Sequence, residues 1–518
     1  MQELPIGIQS FEMLRKDNLL YVDKTTRLLE LIKNGRRYFL SRPRRFGKSL
    51  TLSTLEAMFS GRVDLFVGLS AESWVKEQAK LKSPVISLDM SSFDEPQTGE
   101  ELNQSLVSEL EDIAQDKGVE ISLYSSCGRM LKELVRKLYK KYGYVVVLID
   151  EYDSPILTQI NNLNKAKEMR SVLRSFYKVL KSCDKYMRFL FITGISKFTK
   201  VGVFSALNNL LDISLIDAYS DIAGYTQEEL ENNFGEWINF TAENMKIDRL
   251  EILKQLKEYY DGFSFDGTTK LYNPYSILSF FASGEFGNYW YESGSPSFIV
   301  EWMKAHKIQE PYEYRHKVVK SNFASSQEIE QADPSSFLFQ SGYLTIEKKE
   351  SQLLTLDYPN REVLDSISSM YLKLVYKVEG YAMLGNEIWK ALRVENMSEV
   401  INLYNVALSG VAYDDYSLNG NEFWYRSMFV MLLRGAGIIS YSEPHTSLGR
   451  ADVVINFQDK IIVLEFKFAE HSSDVEKMKL EGERQIQERD YAKNYEKSDC
   501  KIITVVIVAD GERRRVML

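Results

Sequence analysis

Cysteine and histidine are scarce in this chain, with three cysteines (Cys127, Cys183, Cys500) and four histidines among 518 residues. Three scattered thiols cannot build a disulfide framework or a thiolate zinc cluster. No two histidines stand at ligand spacing, which argues against a histidine-built metal site. No apolar run approaches the roughly 18 residues that a membrane span needs. The opening MQELPIGIQS lacks the basic and apolar regions of a signal peptide. The expected compartment is therefore a reducing cytoplasm, with no membrane partner. Excess basic charge is also missing: Lys plus Arg is 64 against 73 for Asp plus Glu, a net charge of −9. That argues against a basic coat over the whole molecule and leaves room only for a local nucleic-acid site.

What the chain does have is ordinary globular composition. The 44% hydrophobic and 26% charged fractions exclude wholesale disorder. At about 150 residues per domain, the length suggests roughly three structural units. The first third alternates β-branched runs with amphipathic stretches. Residues 38–40, 84–88, 145–149 and 188–193 read as strands, and 130–142 and 165–182 as helices. Buried strands separated by helices imply a parallel sheet with crossovers. From about 221 to 347 the pattern is mainly helical, with loop signals at Tyr260-Asp261-Gly262-Phe263 and Tyr272-Asn273-Pro274. Residues 342–346 and 353–356 read as a small hairpin, and 362–409 as helical again. Beyond about 420 the order is helix, hairpin, helix, strand. The expected domains are 1–220, 221–360 and 361–518, in an α/β chain with a parallel-sheet domain, a helical middle and an α/β C-terminal domain.

Residues 41–50 read Ser-Arg-Pro-Arg-Arg-Phe-Gly-Lys-Ser-Leu, between a strand and a helix. This is the context of a Walker A phosphate loop. Backbone N–H groups from Arg45 to Leu50, through Phe46 and Gly47, would cradle phosphates at a helix N-terminus. Lys48 would reach the β- and γ-phosphates, and the Ser49 hydroxyl would ligate Mg2+. The general loop opens with Gly, and here that position is Arg42. A second strand, Val145-Val146-Val147-Leu148-Ile149, ends in Asp150-Glu151. In this Walker B arrangement Asp150 would hold magnesium and Glu151 would polarise the attacking water. The plainer alternatives are a basic loop before a helix and a strand end turning into solvent. The next strand ends in Thr193-Gly194-Ile195-Ser196-Lys197, where Thr193 and Ser196 are either γ-phosphate sensors or turn caps.

The C-terminal signal is Asp452-Val453-Val454-Ile455 followed by Leu464-Glu465-Phe466-Lys467. Residues two apart on a strand share a face, so Glu465 and Lys467 point the same way. With Gln458-Asp459 as a two-residue turn, Asp452 lies across from Glu465. Two adjacent carboxylates call for a cation, and hard oxygen ligands suit Mg2+ or Mn2+. Lys467 would orient a water or stabilise charge on a phosphoryl oxygen. Glu422, at the opening of the preceding helix, would add a carboxylate. Gln485 would touch the metal shell or a phosphate, on a helix read through Asp490-Tyr491-Ala492. The alternative is a surface hairpin with a cross-strand charge cluster. Arg513-Arg514-Arg515 reads as a solvated tail.

Taken together, these motifs resemble the bacterial AAA-ATPase-like proteins that end in a PD-(D/E)XK nuclease-like domain. The resemblance spans nearly the whole chain, through Tyr21-Val22-Asp23-Lys24-Thr25, Arg42–Ser49, Ile149–Asp153, Thr193–Lys197, Leu207-Asn208-Asn209-Leu210, Asn273-Pro274, Ser341–Thr345 and the Asp452, Glu465, Lys467 hairpin. In that family the Arg-Pro-Arg-Arg opening is usual. The resemblance implies a P-loop ATPase domain, a helical middle and a restriction-endonuclease-like domain. It also implies Tyr21–Thr25, Asp23 among them, near the base or ribose, and Glu422, Asp452, Glu465, Lys467 and Gln485 around the nuclease-like site. The expected function is ATP binding and hydrolysis coupled to a metal-dependent nuclease-like site on nucleic acid. The alternative is an ATP-driven switch whose nuclease-like fold only binds nucleic acid or protein. DNA versus RNA, and the oligomeric state, are left open.

Overall fold

The computed structural model describes residues 1–81, 83–93, 95–122, 124–159, 162–197, 209–292, 303, 314–324, 333–375, 378, 380–411, 421–442, 445–446, 449–489 and 500–518. The chain forms two compact units, 1–302 with 314–362 and 303–313 with 363–518. The stretches 1–220 and 221–360 thus fall largely within the first unit.

The first unit is built on a parallel sheet of β1 (Arg37–Ser41), β2 (Val85–Asp89), β3 (Val145–Asp150), β4 (Met187–Gly194) and β5 (Leu211–Asp212). The spatial order is β2-β3-β4-β1-β5. Every residue of β3 is buried, the pattern of a strand covered on both faces. Helices Gly99–Asp116, Cys127–Tyr142 and Leu163–Ser182 supply one cover. Their apolar residues recur at helical spacing (Leu102, Leu106, Leu110; Leu131, Leu134, Leu138) and share one core with Ile86, Val147 and Ile192. Helix starts follow local chemistry: Thr98 and Asn162 each accept a backbone N–H three residues on.

The helical stretch that follows has its own core. Phe234, Ile238, Ile252, Leu256, Phe280 and Phe281 pack there. Asn273 caps the Pro274–Ser283 helix, so the Asn-Pro pair marks a helix start. The expected hairpin is a three-stranded sheet of β6 (Lys317–Lys320), β7 (Thr345–Glu350) and β8 (Leu353–Asp357), in the order β6-β8-β7. Gly342, expected to open a strand, instead ends the Pro334–Ser341 helix at φ 94°.

In the second unit, helices Tyr381–Arg393, Met397–Ser409 and Glu422–Gly435 precede a five-stranded sheet. Its strands are β9 (Ser440–Ser442), β10 (Val453–Phe457), β11 (Lys460–Ala469), β12 (Lys501–Asp510) and β13 (Arg515–Met517), in the order β13-β12-β11-β10-β9. β11 and β12 run parallel, joined through a connection that contains the Val475–Arg489 helix. Arg513 and Arg515 are exposed, as expected of a solvated run, but the segment is not a free tail: it turns the chain into β13, where Arg515 stands opposite Asp510 in the ladder.

Candidate functional sites

β1 delivers the Gly-Lys-Ser loop. Gly47, at φ 92°, takes the left-handed conformation that starts the Lys48–Phe59 helix, and Arg45 has φ 60°. Arg42, in place of the usual Gly, is 1% exposed. Its guanidinium donates to the carbonyls of Ser214 (2.8 Å), Tyr219 (3.2 Å) and Ser220 (3.3 Å) and stacks over Phe265 at 3.9 Å. Burial drives its pKa down to about 9. The residue that departs from the general loop therefore acts behind it, as an anchor.

Lys48 is buried, donates to the carbonyl of Pro43 at 3.1 Å and pairs with Glu151 at 3.3 Å. Glu151 has φ 46°, in the left-handed region that few non-glycine residues adopt. Burial raises its carboxyl pKa, opposed by the Lys48 charge. Asp150 ends β3, and its Oδ1 accepts the Thr193 hydroxyl at 2.5 Å and the Glu151 N–H at 2.9 Å. Lys48 and Glu151, but not Asp150 or Thr193, border a cavity of about 380 Å³ lined also by Arg45, Ser49, Tyr21 and Tyr275. A buried lysine over a loop at a helix N-terminus, opening on a cavity of this size, fits a nucleoside triphosphate.

The second cluster lies in the other unit. β10 and β11 pair from Val453↔Leu464 to Phe457↔Lys460, with Gln458-Asp459 as the turn. Asp452 stands one residue before this ladder. Its Oδ2 accepts the Phe466 N–H at 2.7 Å, and its Oδ1 pairs with Arg426 at 2.8 Å. Glu465 and Lys467 do share a face, with Lys467 Nζ 2.8 Å from Glu465 Oε1. Glu465 is 1% exposed. Its Oε2 is buried with no hydrogen-bond partner among the described residues. Burial and the Asp452 charge push its carboxyl up to about 7. Glu422 opens its helix beside the Asn421 cap. Burial raises its pKa, Asp452 adds to the rise and Lys467 opposes it. Burial works against the Lys467 charge, but the carboxylates of Glu465, Glu422 and Asp452 outweigh it and raise its pKa. Three acids that repel one another, one with an oxygen that lacks a hydrogen-bond partner among the described residues, offer the donor chemistry of a divalent-cation site, although their ligand atoms are not all within 4.8 Å of one another.

Gln485 lies on the Val475–Arg489 helix. One turn earlier Gly482 faces β11 and β12: a Cβ there would meet Val506 at 2.6 Å and Lys467 at 3.5 Å.

A family model described as a predicted AAA-ATPase matches residues 5–204, and a PD-(D/E)XK nuclease superfamily model matches 420–517. A protein of Azotobacter chroococcum mcd 1, described as an uncharacterized protein in vnfD 5'region, is 32% identical over 508 residues, covering 95% of this chain and 94% of its own length. The chain belongs to the AAA-ATPase-like family. Its AAA-ATPase-like domain is followed by a PD-(D/E)XK nuclease-superfamily domain. Domains of these two kinds generally use nucleotide and divalent metal. No helix among the described residues is long and apolar enough to cross a membrane.

Against the expected residues, this AAA-ATPase-like chain places Arg45, Phe46, Gly47, Lys48, Ser49, Leu50 and Glu151 on the cavity wall. The Phe46 ring is buried, packing on Phe263 and Phe265 with centroids 5.2 and 5.5 Å apart. Thr193 is turned onto Asp150, and Ser196 donates to Asp153 at 2.7 Å. The Asp23 carboxylate accepts backbone N–H groups of Thr25 (2.8 Å) and Ser70 (2.9 Å), while its neighbours Tyr21, Val22 and Lys24 line the cavity. Leu207, Asn208, Asp490, Tyr491 and Ala492 lie outside the described residues. Arg42, Tyr275 and Arg426 were not singled out for these positions from sequence. Among the described residues, His316, Glu347 and Asp357 also cluster within 4.8 Å. Arg315 already forks onto Asp357, at 3.0 and 3.2 Å, and supplies a cation there.

Proposed function

We propose that this AAA-ATPase-like chain is a cytoplasmic enzyme that binds and hydrolyses ATP with Mg2+, and that its nuclease-like domain cleaves nucleic acid with Mg2+ or Mn2+. The convergence of Glu422, Asp452, Glu465 and Lys467, with a Glu465 oxygen that lacks a hydrogen-bond partner among the described residues, carries the reading. In this scheme Lys48 binds the β- and γ-phosphates, Ser49 and Asp150 hold magnesium, and Glu151 polarises the attacking water. Thr193 orients Asp150 by its short hydrogen bond. Glu422, Asp452 and Glu465 hold the second metal, which polarises the phosphoryl oxygen. Lys467 stabilises the developing charge, and Gln485 orients water or phosphate. Asp23 acts on the base side by fixing the loop whose neighbours line the cavity. The domain borders that go with this reading are 1–220, 221–360 and 361–518.

A second reading, an ATP-driven switch whose nuclease-like domain only binds nucleic acid or protein, draws on Arg426. Its guanidinium already satisfies one Asp452 oxygen. The test is phosphate release and DNA or RNA cleavage by the pure protein, with Mg2+ or Mn2+, with and without ATP. Cleavage supports the first reading. Phosphate release with no cleavage under any metal or nucleotide condition supports the second.

A further inference from the structure

Trp290 sits on a single helical turn, Tyr289–Glu292, and is 6% exposed. Its indole N–H donates to the carbonyl of Arg44, inside the Gly-Lys-Ser loop, at 3.2 Å. The ring packs on Tyr343 and Phe263 with centroids 5.1 and 6.2 Å apart, and Phe263 in turn packs on Phe46. Gly342 closes this cluster from below. A Cβ there would lie 2.7 Å from Pro43 and 3.0 Å from the Trp290 ring. Pro43, Arg44 and Phe46 therefore rest on one packed aromatic group.

The same tryptophan is held from its other side by a carboxyl. Its backbone N–H donates to Glu362 Oε1 at 2.7 Å, and Glu362 Oε2 accepts the Ser276 hydroxyl at 2.8 Å. Ser276 belongs to the Pro274–Ser283 helix, whose Tyr275 and Leu278 line the nucleotide cavity. Tyr275 also lies under the Arg45 guanidinium at 5.1 Å. Glu362 thus joins two elements that each touch the loop, and it is fully buried in doing so. It is also the last residue of the first unit, on the Arg361–Met370 helix along which the chain enters the second.

We propose that Trp290 and Glu362 are positioning residues that form a nucleotide-sensing latch. Phosphate in the loop draws the 45–49 backbone N–H groups towards it, shifts the Arg44 carbonyl and changes the hold of Trp290 on Glu362. The Arg361–Met370 helix then reports loop occupancy to the chain that follows. The latch rests on the nucleotide reading above. Coupling of this kind is worth about 5- to 150-fold in affinity between two linked states, and it requires that nucleotide bind the two latch states differently.

The test uses the full chain with a non-hydrolysable ATP analogue and Mg2+. Calorimetry measures binding, and hydrogen exchange measures the amides of 361–370 and of the Lys48–Phe59 helix. In wild type, saturation should change exchange at 361–370 by about threefold or more. Trp290→Phe keeps the ring and loses the indole N–H. It should still bind the analogue and respond in the Lys48–Phe59 helix, but lose the response at 361–370. Glu362→Gln keeps an acceptor for the Trp290 N–H and should retain the response. Ser276→Ala, which removes one small hydroxyl, should weaken it and serves as the variant of record if Trp290→Phe does not fold. An unchanged response in Trp290→Phe, or in Ser276→Ala where that variant stands in, overturns the latch. So does a wild type that binds without any response at 361–370. A wild type that binds no analogue overturns the nucleotide reading itself, and calorimetry reports that separately.

Discussion

Lys48 carries two interactions that a bound triphosphate would have to replace, one to the Pro43 carbonyl and one to Glu151. Lys48→Ala should therefore abolish ATP binding, because charge-assisted contacts to phosphate carry much of the affinity. Glu151→Gln should bind ATP and release phosphate at least about a hundredfold more slowly. Equal affinity in wild type and Lys48→Ala, measured by calorimetry, would remove the nucleotide from this loop. At the second cluster, Lys467→Ala should leave Mn2+ binding largely intact, since a protonated lysine is not a ligand. Strand cleavage should fall by about a hundredfold or more; an unchanged cleavage rate would place the chemistry elsewhere. Glu362 offers a pH test. Burial pushes its carboxyl up to about 8, with the hydrogen bonds from Trp290 and Ser276 opposing the rise and Glu292 adding to it. Between an unfolded value near 4.3 and about 8 the native state holds a proton that the unfolded chain has released. Its contribution is thus present at low pH and lost as pH rises through that window. Urea melts of wild type and Glu362→Gln at pH 5 and pH 8.5 should show wild type losing stability relative to the variant; parallel pH dependences would refute it. Lys48, Glu151, Asp452, Glu465 and Lys467 were legible in sequence because strand and loop spacing alone sets where they stand. Arg42 and Arg426 were not. Arg42 answers carbonyls 172 to 178 positions away, and no local pattern marks an arginine for that task.

Elements were legible where burial is continuous. β3 and β4 are apolar almost throughout, and both match the sequence expectation to within a residue at each end. β6 was invisible because Lys317–Lys320 is a half-exposed strand with two apolar residues. Gly342 departs from the strand expected there because glycine at a helix end and glycine before a strand look alike until φ is known. The Val475–Arg489 helix yields a prediction at this scale. Its approach to β12 depends on the missing side chain at Gly482. Gly482→Leu should lift the helix, cost about 1–3 kcal/mol and displace Gln485. A urea midpoint that stays unchanged, together with undiminished cleavage, would show that this close packing does not matter.

The division into two units has a calorimetric consequence for the whole molecule. Each unit has its own sheet and its own candidate ligand, so heating should produce two transitions. A ligand at a hundred times its Kd adds about 2.7 kcal/mol to the state that binds it. The ATP analogue with Mg2+ should raise one transition by about 2 °C or more, and Mn2+ alone the other. A single transition moved equally by both would show that the units melt as one.

The pairing of β11 with β12 also bears on how the protein is made. Glu465 lies opposite Val506 in that parallel ladder, across a connection that includes an entire helix. During synthesis the Glu465–Lys467 strand is translated before the neighbour it pairs with. It waits with one edge bare until residues 501–510 are translated and docked. Long-range parallel pairing is slow to form. The acids and the lysine are therefore in the cell before the enclosed setting that shifts their pKa values, and a nascent chain passes through a stage in which the cluster is present but unmade.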